Sequence, residues 1–323
     1  MIKTGIIGCG KIANAHVQVL LQLTDAKLTA VCDVDETKRR QLSKKAGAAA
    51  YESYEEMLEA EKLDLVIICL PPALHGKCAI YCAEKGVNVF LEKPMGIDTA
   101  DCEAIIKACK DNEVMLWVGH MQRYSKENRI AKELIASGEY GNVVSVSEVR
   151  TCAYPGPASP GWLMKREIAG GGIMYNFGAH TLDMLTYITG SKVKTAESSV
   201  SFFNADSENA AFGFLKFENG VSATFNLVGS CAVNRYEIVI YLTKGEIRIK
   251  PRKSISVCGT DGVFKKISEN EELQGNDTEN TWQYLQMRDV LEAVKSGEAK
   301  VGGEYGLEIV RCIEALYKSA EIN

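Results

Sequence analysis

The stretch Gly5-Ile6-Ile7-Gly8-Cys9-Gly10-Lys11-Ile12-Ala13 decides how the first half of the chain is interpreted. It ends a short apolar, strand-like run and opens a segment with apolar residues at helical spacing. Gly8 permits a tight turn out of the strand, and Gly10 lets the main chain approach a pyrophosphate. Ala13 permits close packing of the helix, whose N-terminus carries partial positive charge. The stretch therefore predicts the first turn of a dinucleotide-binding βαβ unit.

An acid at the end of the next strand supports this interpretation. Asp33 follows Gly8 by 25 residues, and a carboxylate there accepts hydrogen bonds from the adenosine ribose and repels a 2′-phosphate. We therefore expect NAD as the cofactor. Lys38, Arg39 and Arg40 follow closely and leave NADP open as an alternative. The cofactor residues predicted in this part of the chain are Gly8, Gly10, Lys11, Ile12 and Asp33.

The order of strand-like and helix-like segments predicts two domains. Leu63–Leu70 (LDLVIICL) is a nearly unbroken apolar run, typical of a central parallel strand covered on both faces. Strands alternate with helices up to about residue 120, and strands separated by short turns such as Asn219-Gly220 follow later. We expect an α/β Rossmann, doubly wound domain at residues 1–122. An α+β domain with a large, mostly antiparallel open sheet should occupy residues 123–323.

Composition excludes several classes of function. The 323 residues carry 37 Lys+Arg and 42 Asp+Glu, a net charge of −5, which argues against nucleic acid or an anionic membrane as partner. No apolar run approaches the roughly 18 residues of a membrane span, and no signal-peptide pattern opens the chain. The 11 cysteines show no C-x-x-C and no zinc-like spacing. We therefore expect a cytoplasmic protein with reduced cysteines and no metal.

Three further segments, together with the glycine turn, carry a family resemblance. They are CLPPALH at 69–75, FLEKP at 90–94 and GGGIMYNFGAHTLD at 170–183. In this order they resemble the glucose–fructose oxidoreductase, inositol dehydrogenase and rhizopine-catabolism (Gfo/Idh/MocA) family of NAD(P)-dependent oxidoreductases, over essentially the whole chain.

The resemblance implies hydride transfer between NAD and a secondary alcohol of a sugar, sugar derivative or cyclitol. It also implies homodimers or homotetramers formed through the second sheet. Two alternatives stay open: an NADP-linked reductase of a keto-sugar or dihydrodiol, and a non-catalytic dinucleotide-binding regulator.

The resemblance also implies Lys93, His180 and Asn176 as catalytic residues. Oxidation of an alcohol needs a base for the hydroxyl proton and a positive group near the oxygen. We expect His180 to take the proton and Lys93 to stabilise the oxygen, with the reverse assignment also open. The Lys93-Pro94 bond could be cis. Many members carry Asp where this chain has Asn176, which cannot ionise but can orient substrate hydroxyls.

The remaining site residues are predicted from their positions near these motifs. Aromatic residues offer stacking faces to a sugar ring, and cations meet a carboxylate or phosphate. The family often has W-R before the triple glycine, whereas this chain has Trp162-Leu163, so a usual arginine is missing. The additional cofactor residues are Cys69, Leu70, Pro71, His75, Glu92 and Lys93. The predicted substrate residues are Arg123, Tyr124, Tyr154, Trp162, Lys165 (or Arg166) and Asp183.

Overall fold

The computed structural model describes residues 1–156, 159–203, 205–269 and 281–321. They form two compact units. The first contains the described residues of 1–120 and 278–310, and the second contains those of 121–277 and 311–323. A division into domains at residue 122 stays a prediction. Among the described helices, none is long and apolar enough to cross a membrane.

The strands and helices are numbered in chain order. The strands are β1 (Ile2–Ile7), β2 (Ala26–Cys32), β3 (Ala49–Tyr51), β4 (Leu65–Ile68), β5 (Asn88–Leu91), β6 (Leu116–Val118), β7 (Val143–Ala153), β8 (Val193–Ser201), β9 (Ala210–Phe217), β10 (Ser222–Val228), β11 (Ser230–Leu242), β12 (Gly245–Lys250), β13 (Ser254–Cys258) and β14 (Lys265–Glu269). The helices are α1 (Lys11–Leu20), α2 (Glu36–Ala46), α3 (Tyr54–Ala60), α4 (His75–Glu84), α5 (Thr99–Asp111), α6 (Lys126–Ser137), α7 (Arg166–Ala169), α8 (Ile173–Thr189), α9 (Trp282–Ser296) and α10 (Gly303–Ser319).

The first unit is built on a parallel six-stranded sheet with the order β3-β2-β1-β4-β5-β6. All four residues of β4 are fully buried, which explains the unbroken apolar run predicted as a central strand. The Rossmann-type prediction is confirmed. Because the strands are parallel, the loops that follow β1, β4 and β5 all leave the same edge of the sheet.

The second unit contains an eight-stranded sheet with the order β14-β13-β12-β11-β7-β10-β9-β8. Its neighbouring strands are antiparallel except for β7 and β10, which pair in parallel. The prediction of a mostly antiparallel sheet is confirmed. Helices α6 and α8 pack on this sheet, and on β7 the side chains of Val146, Glu148 and Arg150 alternate with more exposed neighbours.

Helix α8, which carries Asn176 and His180, begins at Ile173, directly after the triple glycine. The reason is a cap from elsewhere in the chain. One carboxylate oxygen of Glu208 accepts hydrogen bonds from the amides of Gly172 (2.8 Å) and Met174 (3.1 Å), and also from the Tyr317 hydroxyl (2.5 Å). These bonds occupy amides that the first turn of a helix leaves without partners, so Glu208 fixes where α8 starts.

Candidate functional site

The glycine turn has the geometry that a diphosphate requires. Gly8 has φ +91°, and a Cβ there would lie 2.6 Å from the main-chain oxygen of Cys69. A Cβ on Gly10 would meet nothing within 4 Å, so its main chain is open to a close approach. Helix α1 begins at Lys11 with no capping side chain and no acid in its first turn. A lysine at a helix N-terminus is unfavourable unless an anion binds there, so these residues fit a dinucleotide diphosphate.

Asp33 connects the glycine turn to the end of β2. One carboxylate oxygen accepts a hydrogen bond from the Cys9 amide at 2.6 Å, and the other accepts one from the Asp35 amide at 2.8 Å. Each oxygen keeps a further lone pair, so the carboxylate is fixed in place and can still accept ribose hydroxyls. Burial and the charge of Asp33 raise the pKa of the Cys9 thiol to about 12, which keeps this thiol protonated.

Two of the basic residues that left NADP open are paired with acids. The guanidinium of Arg39 lies 3.2 Å from Glu52 and donates to the main-chain oxygen of Asp33 at 3.3 Å. The ammonium of Lys38 lies 3.0 Å from Asp35. Because both cations already have anionic partners, this arrangement favours NAD over a cofactor that carries a 2′-phosphate.

The turn that carries Lys93 follows β5 at the carboxyl edge of the parallel sheet, as predicted. The peptide bond between Lys93 and Pro94 is cis. Glu92 is 8% exposed. One of its carboxylate oxygens lies 2.8 Å from Nε2 of the buried His16, and the other accepts the Lys93 amide at 3.3 Å. The sequence provided no motif around His16, so its contact with the Glu92-Lys93-Pro94 turn was not predicted.

His75 is buried and does not line an open groove. It is 1% exposed, and its ring nitrogens lie 2.9 Å from the main-chain oxygens of Pro94 and Leu70. The nearby Cys69 is half-buried, and burial of the thiol together with the charge of Glu92 raises the thiol pKa. The loop after β4 and the turn after β5 are therefore connected through His75. Direct contact of His75 or Cys69 with the cofactor stays a prediction.

In the second unit, Asn176 and His180 lie four residues apart on α8, and this spacing places them on one face of the helix. The Tyr154 hydroxyl lies against the Asn176 side chain, and burial raises the pKa of this phenol to about 12. The Tyr154 ring packs on Phe177 with 5.4 Å between centroids. Tyr154 is therefore a protonated hydrogen-bond donor at neutral pH, next to a predicted catalytic residue.

Two predicted substrate residues contact each other. Asp183 is fully buried and forms an ion pair with Arg123. The Arg123 guanidinium also lies 5.3 Å from the centroid of the Tyr187 ring. Of the other predicted substrate residues, Tyr124 is buried, Trp162 is half-buried and Lys165 is exposed. Arg123 and Asp183 are thus paired with each other, and contact of either residue with substrate stays a prediction.

A buried polar network supports α8 from the sheet. Glu148 is fully buried on β7 and accepts a hydrogen bond from Thr181, the residue after His180, at 2.7 Å. Burial raises the pKa of the Glu148 carboxyl. The Arg150 guanidinium lies 3.8 Å from the centroid of the Tyr236 ring. A single sequence offers no signal for this network beyond polar residues at alternate positions of a strand.

Comparison with known proteins identifies the family. Residues 2–120 match the model described as an oxidoreductase family with an NAD-binding Rossmann fold. Residues 128–248 match the GFO/IDH/MocA C-terminal domain. The fold and the glycine turn thus define an NAD-binding oxidoreductase. The chain belongs to the Gfo/Idh/MocA oxidoreductase family, and the predicted resemblance is confirmed.

Several relatives carry the names of enzymes that act on sugars or cyclitols. The chain is 29% identical to myo-inositol 2-dehydrogenase of Thermotoga maritima over 269 residues, which are 80% of this chain and 78% of that protein. It is 25% identical to D-xylose 1-dehydrogenase (NADP(+)) 2 of Haloferax volcanii over 98% of this chain and 97% of that protein. The structure of aldose-aldose oxidoreductase from Caulobacter crescentus complexed with glycerol is similar with a TM-score of 0.87, at 25% identity, over 99% of this chain and 97% of that one.

Replacing Asp33 with Asn tests the cofactor site. An asparagine side chain cannot accept both amide hydrogen bonds, and it no longer repels a 2′-phosphate. We expect NADH to bind about tenfold more weakly and the preference over NADPH to shrink, as measured by titration of cofactor fluorescence. Asp111→Asn, which changes an exposed carboxylate of α5 paired with Lys107, is the control and should bind both cofactors like the wild type. A wild-type protein that clearly prefers NADPH would contradict the assignment.

Proposed function

We propose that the protein oxidises a secondary alcohol of a sugar, sugar derivative or cyclitol, or reduces the corresponding ketone, with NAD(H). The observation that carries this proposal is the position of Lys93. Its turn follows a strand at the same sheet edge as the glycine turn, which is where open α/β sheets bind ligands. The names of the relatives, myo-inositol 2-dehydrogenase and D-xylose 1-dehydrogenase, support polyols and sugars as the substrate class.

The nicotinamide ring accepts or supplies the hydride when the cofactor is bound, and the side chains manage the proton and the charge on oxygen. We assign Lys93 to stabilise the alcohol oxygen as negative charge develops on it. We assign His180 to accept the hydroxyl proton, because an imidazole is the side chain that most often serves as a general base. Asn176 and Tyr154 would orient neighbouring hydroxyls as hydrogen-bond partners.

We further propose that the protein is cytoplasmic and forms a homodimer or homotetramer through the second sheet. None of the eleven cysteines forms a disulfide, as expected in a reducing compartment. On β9, Phe212 and Phe214 are 42% and 43% exposed. They are two residues apart and therefore lie on one face of the sheet. Exposed aromatic residues that share a face are typical of a protein–protein interface.

A substrate panel with two variants tests the function. The panel contains myo-inositol, D-xylose, alkyl glucosides, sugar acids and nucleotide sugars, and NADH formation is followed by absorbance. Lys93→Met and His180→Ala should each lower kcat about 100-fold or more. The Kd for NADH should stay within about twofold in the His180 variant, because the proposed role of His180 is toward the substrate hydroxyl and not toward the cofactor.

Two outcomes would contradict the proposal. Near-normal turnover in His180→Ala would exclude this residue as the base. Tight NADH binding without turnover on any panel member would favour the non-catalytic, dinucleotide-binding regulator. Tyr187→Phe, which keeps the ring beside Arg123, serves as a control on the structure of the second unit.

The oligomer proposal is tested by Phe214→Glu. A charge on the proposed interface should shift sedimentation velocity profiles toward the monomer, because a buried, unpaired carboxylate is costly. Leu21→Glu changes a residue of the first unit that is 52% exposed, and it should leave the oligomer intact. A wild-type protein that is monomeric at micromolar concentration would contradict the proposal.

A further inference from the structure

His75 is the first residue of α4, and it holds two loops together. Its ring is 1% exposed. Nδ1 lies 2.9 Å from the main-chain oxygen of Pro94, and Nε2 lies 2.9 Å from the main-chain oxygen of Leu70. Leu70 follows β4 and Pro94 follows β5, two neighbouring strands of the parallel sheet. One side chain therefore contacts the main chain of both loops.

The chemistry of this contact is unusual because both partners are carbonyl oxygens, which only accept hydrogen bonds. A neutral imidazole has one N–H and can donate to one of them, whereas an imidazolium donates to both. Burial lowers the pKa of His75, while the two carbonyl partners and the charge of Glu92 act in the opposite direction. Glu92 belongs to the same turn as Pro94, so the charge of this turn offsets part of the effect of burial on the His75 pKa.

The main chain on the other side of Lys93 is also held. The Lys93 amide donates to Glu92 at 3.3 Å, and the second Glu92 oxygen lies 2.8 Å from His16. The His16 ring packs edge-on against Phe90 of β5, with 5.0 Å between ring centroids. Buried contacts thus fix the main chain directly before and directly after the Lys93 side chain, which sets the direction in which that side chain leaves the turn.

We propose that His75 is a positioning residue for Lys93: it clamps the Glu92-Lys93-Pro94 turn to the loop after β4 and so sets the placement of the Lys93 ammonium. The inference rests on the proposed role of Lys93 in the reaction. It does not require His75 to touch substrate or cofactor. Misplacement of a reacting group by about 1 Å costs on the order of 100-fold in rate, so a clamp at this turn has a measurable effect.

A double-mutant cycle tests the clamp. His75→Phe keeps a ring but removes both ring nitrogens and their contacts with the two carbonyl oxygens, and His75→Gln keeps an N–H donor group. We expect His75→Phe to lower kcat at least about tenfold when Lys93 is present. In a Lys93→Met background the same change should alter kcat by less than about twofold, because a residue that acts through Lys93 has nothing left to position. His75→Gln should lie between the wild type and His75→Phe.

A second measurement does not depend on turnover. The acetylation rate of Lys93 by acetic anhydride, followed by peptide mass spectrometry on the protein without cofactor, reports the surroundings of its amine. It should change at least about threefold in His75→Phe and in His75→Gln. Cys82→Ala, at a buried position of the same helix, is the matched control. It should change neither kcat nor the acetylation rate.

The outcomes separate this inference from the proposed function. Equal losses of kcat in both backgrounds, together with an unchanged Lys93 acetylation rate, would overturn the positioning role. Undiminished turnover in Lys93→Met alone would overturn the proposed role of Lys93, and the acetylation rates would still decide whether His75 places that side chain. If His75→Phe does not fold, the acetylation rate of His75→Gln decides, and a wild-type rate would overturn the inference.

Discussion

The main-chain hydrogen bonds of the parallel sheet continue one residue beyond the ends of β4 and β5. The positions of the predicted cofactor residues in the loops that follow depend on these hydrogen bonds. The amide of Cys69 donates to Ile7 at 2.7 Å, and the amide of Glu92 donates to Ile68 at 3.0 Å. The loops after β4 and β5 therefore start in register with the strand beside them. The turn after β1 lies so close to the loop after β4 that a side chain at position 8 would collide with the Cys69 carbonyl. Only glycine fits there, with its positive φ.

The sequence was informative wherever a feature depends on local pattern. The run LDLVIICL predicted a central strand because a strand buried on both faces needs apolar residues at every position. Gly8 and Asp33 were predicted because the turn and the ribose contact each require one residue type at one spacing. The Lys93 turn was placed at the sheet edge by the strand before it. Each of these predictions relies on neighbours along the chain, which a single sequence displays.

Contacts between distant segments were not predictable in the same way. Glu208 caps α8 from 36 residues downstream of Gly172, and neither residue carries a signal of that contact. Asp183 follows His180 by three residues, which puts both on one face of α8, but this spacing does not show that Arg123 pairs with Asp183. His16 reaches Glu92 because its ring packs against Phe90 of β5, a contact that exists only in the folded sheet. A buried polar side chain needs a partner, but the sequence alone does not say which one.

The central claim is direct hydride transfer between a carbinol carbon and NAD. The measurement that tests it most directly uses an alcohol from the panel that supports turnover, deuterated at its carbinol carbons. The NADH formed from unlabelled NAD+ is then analysed by mass spectrometry. Direct transfer predicts one deuterium in each NADH molecule, because the hydride does not exchange with water. NADH that carries no deuterium would contradict the account.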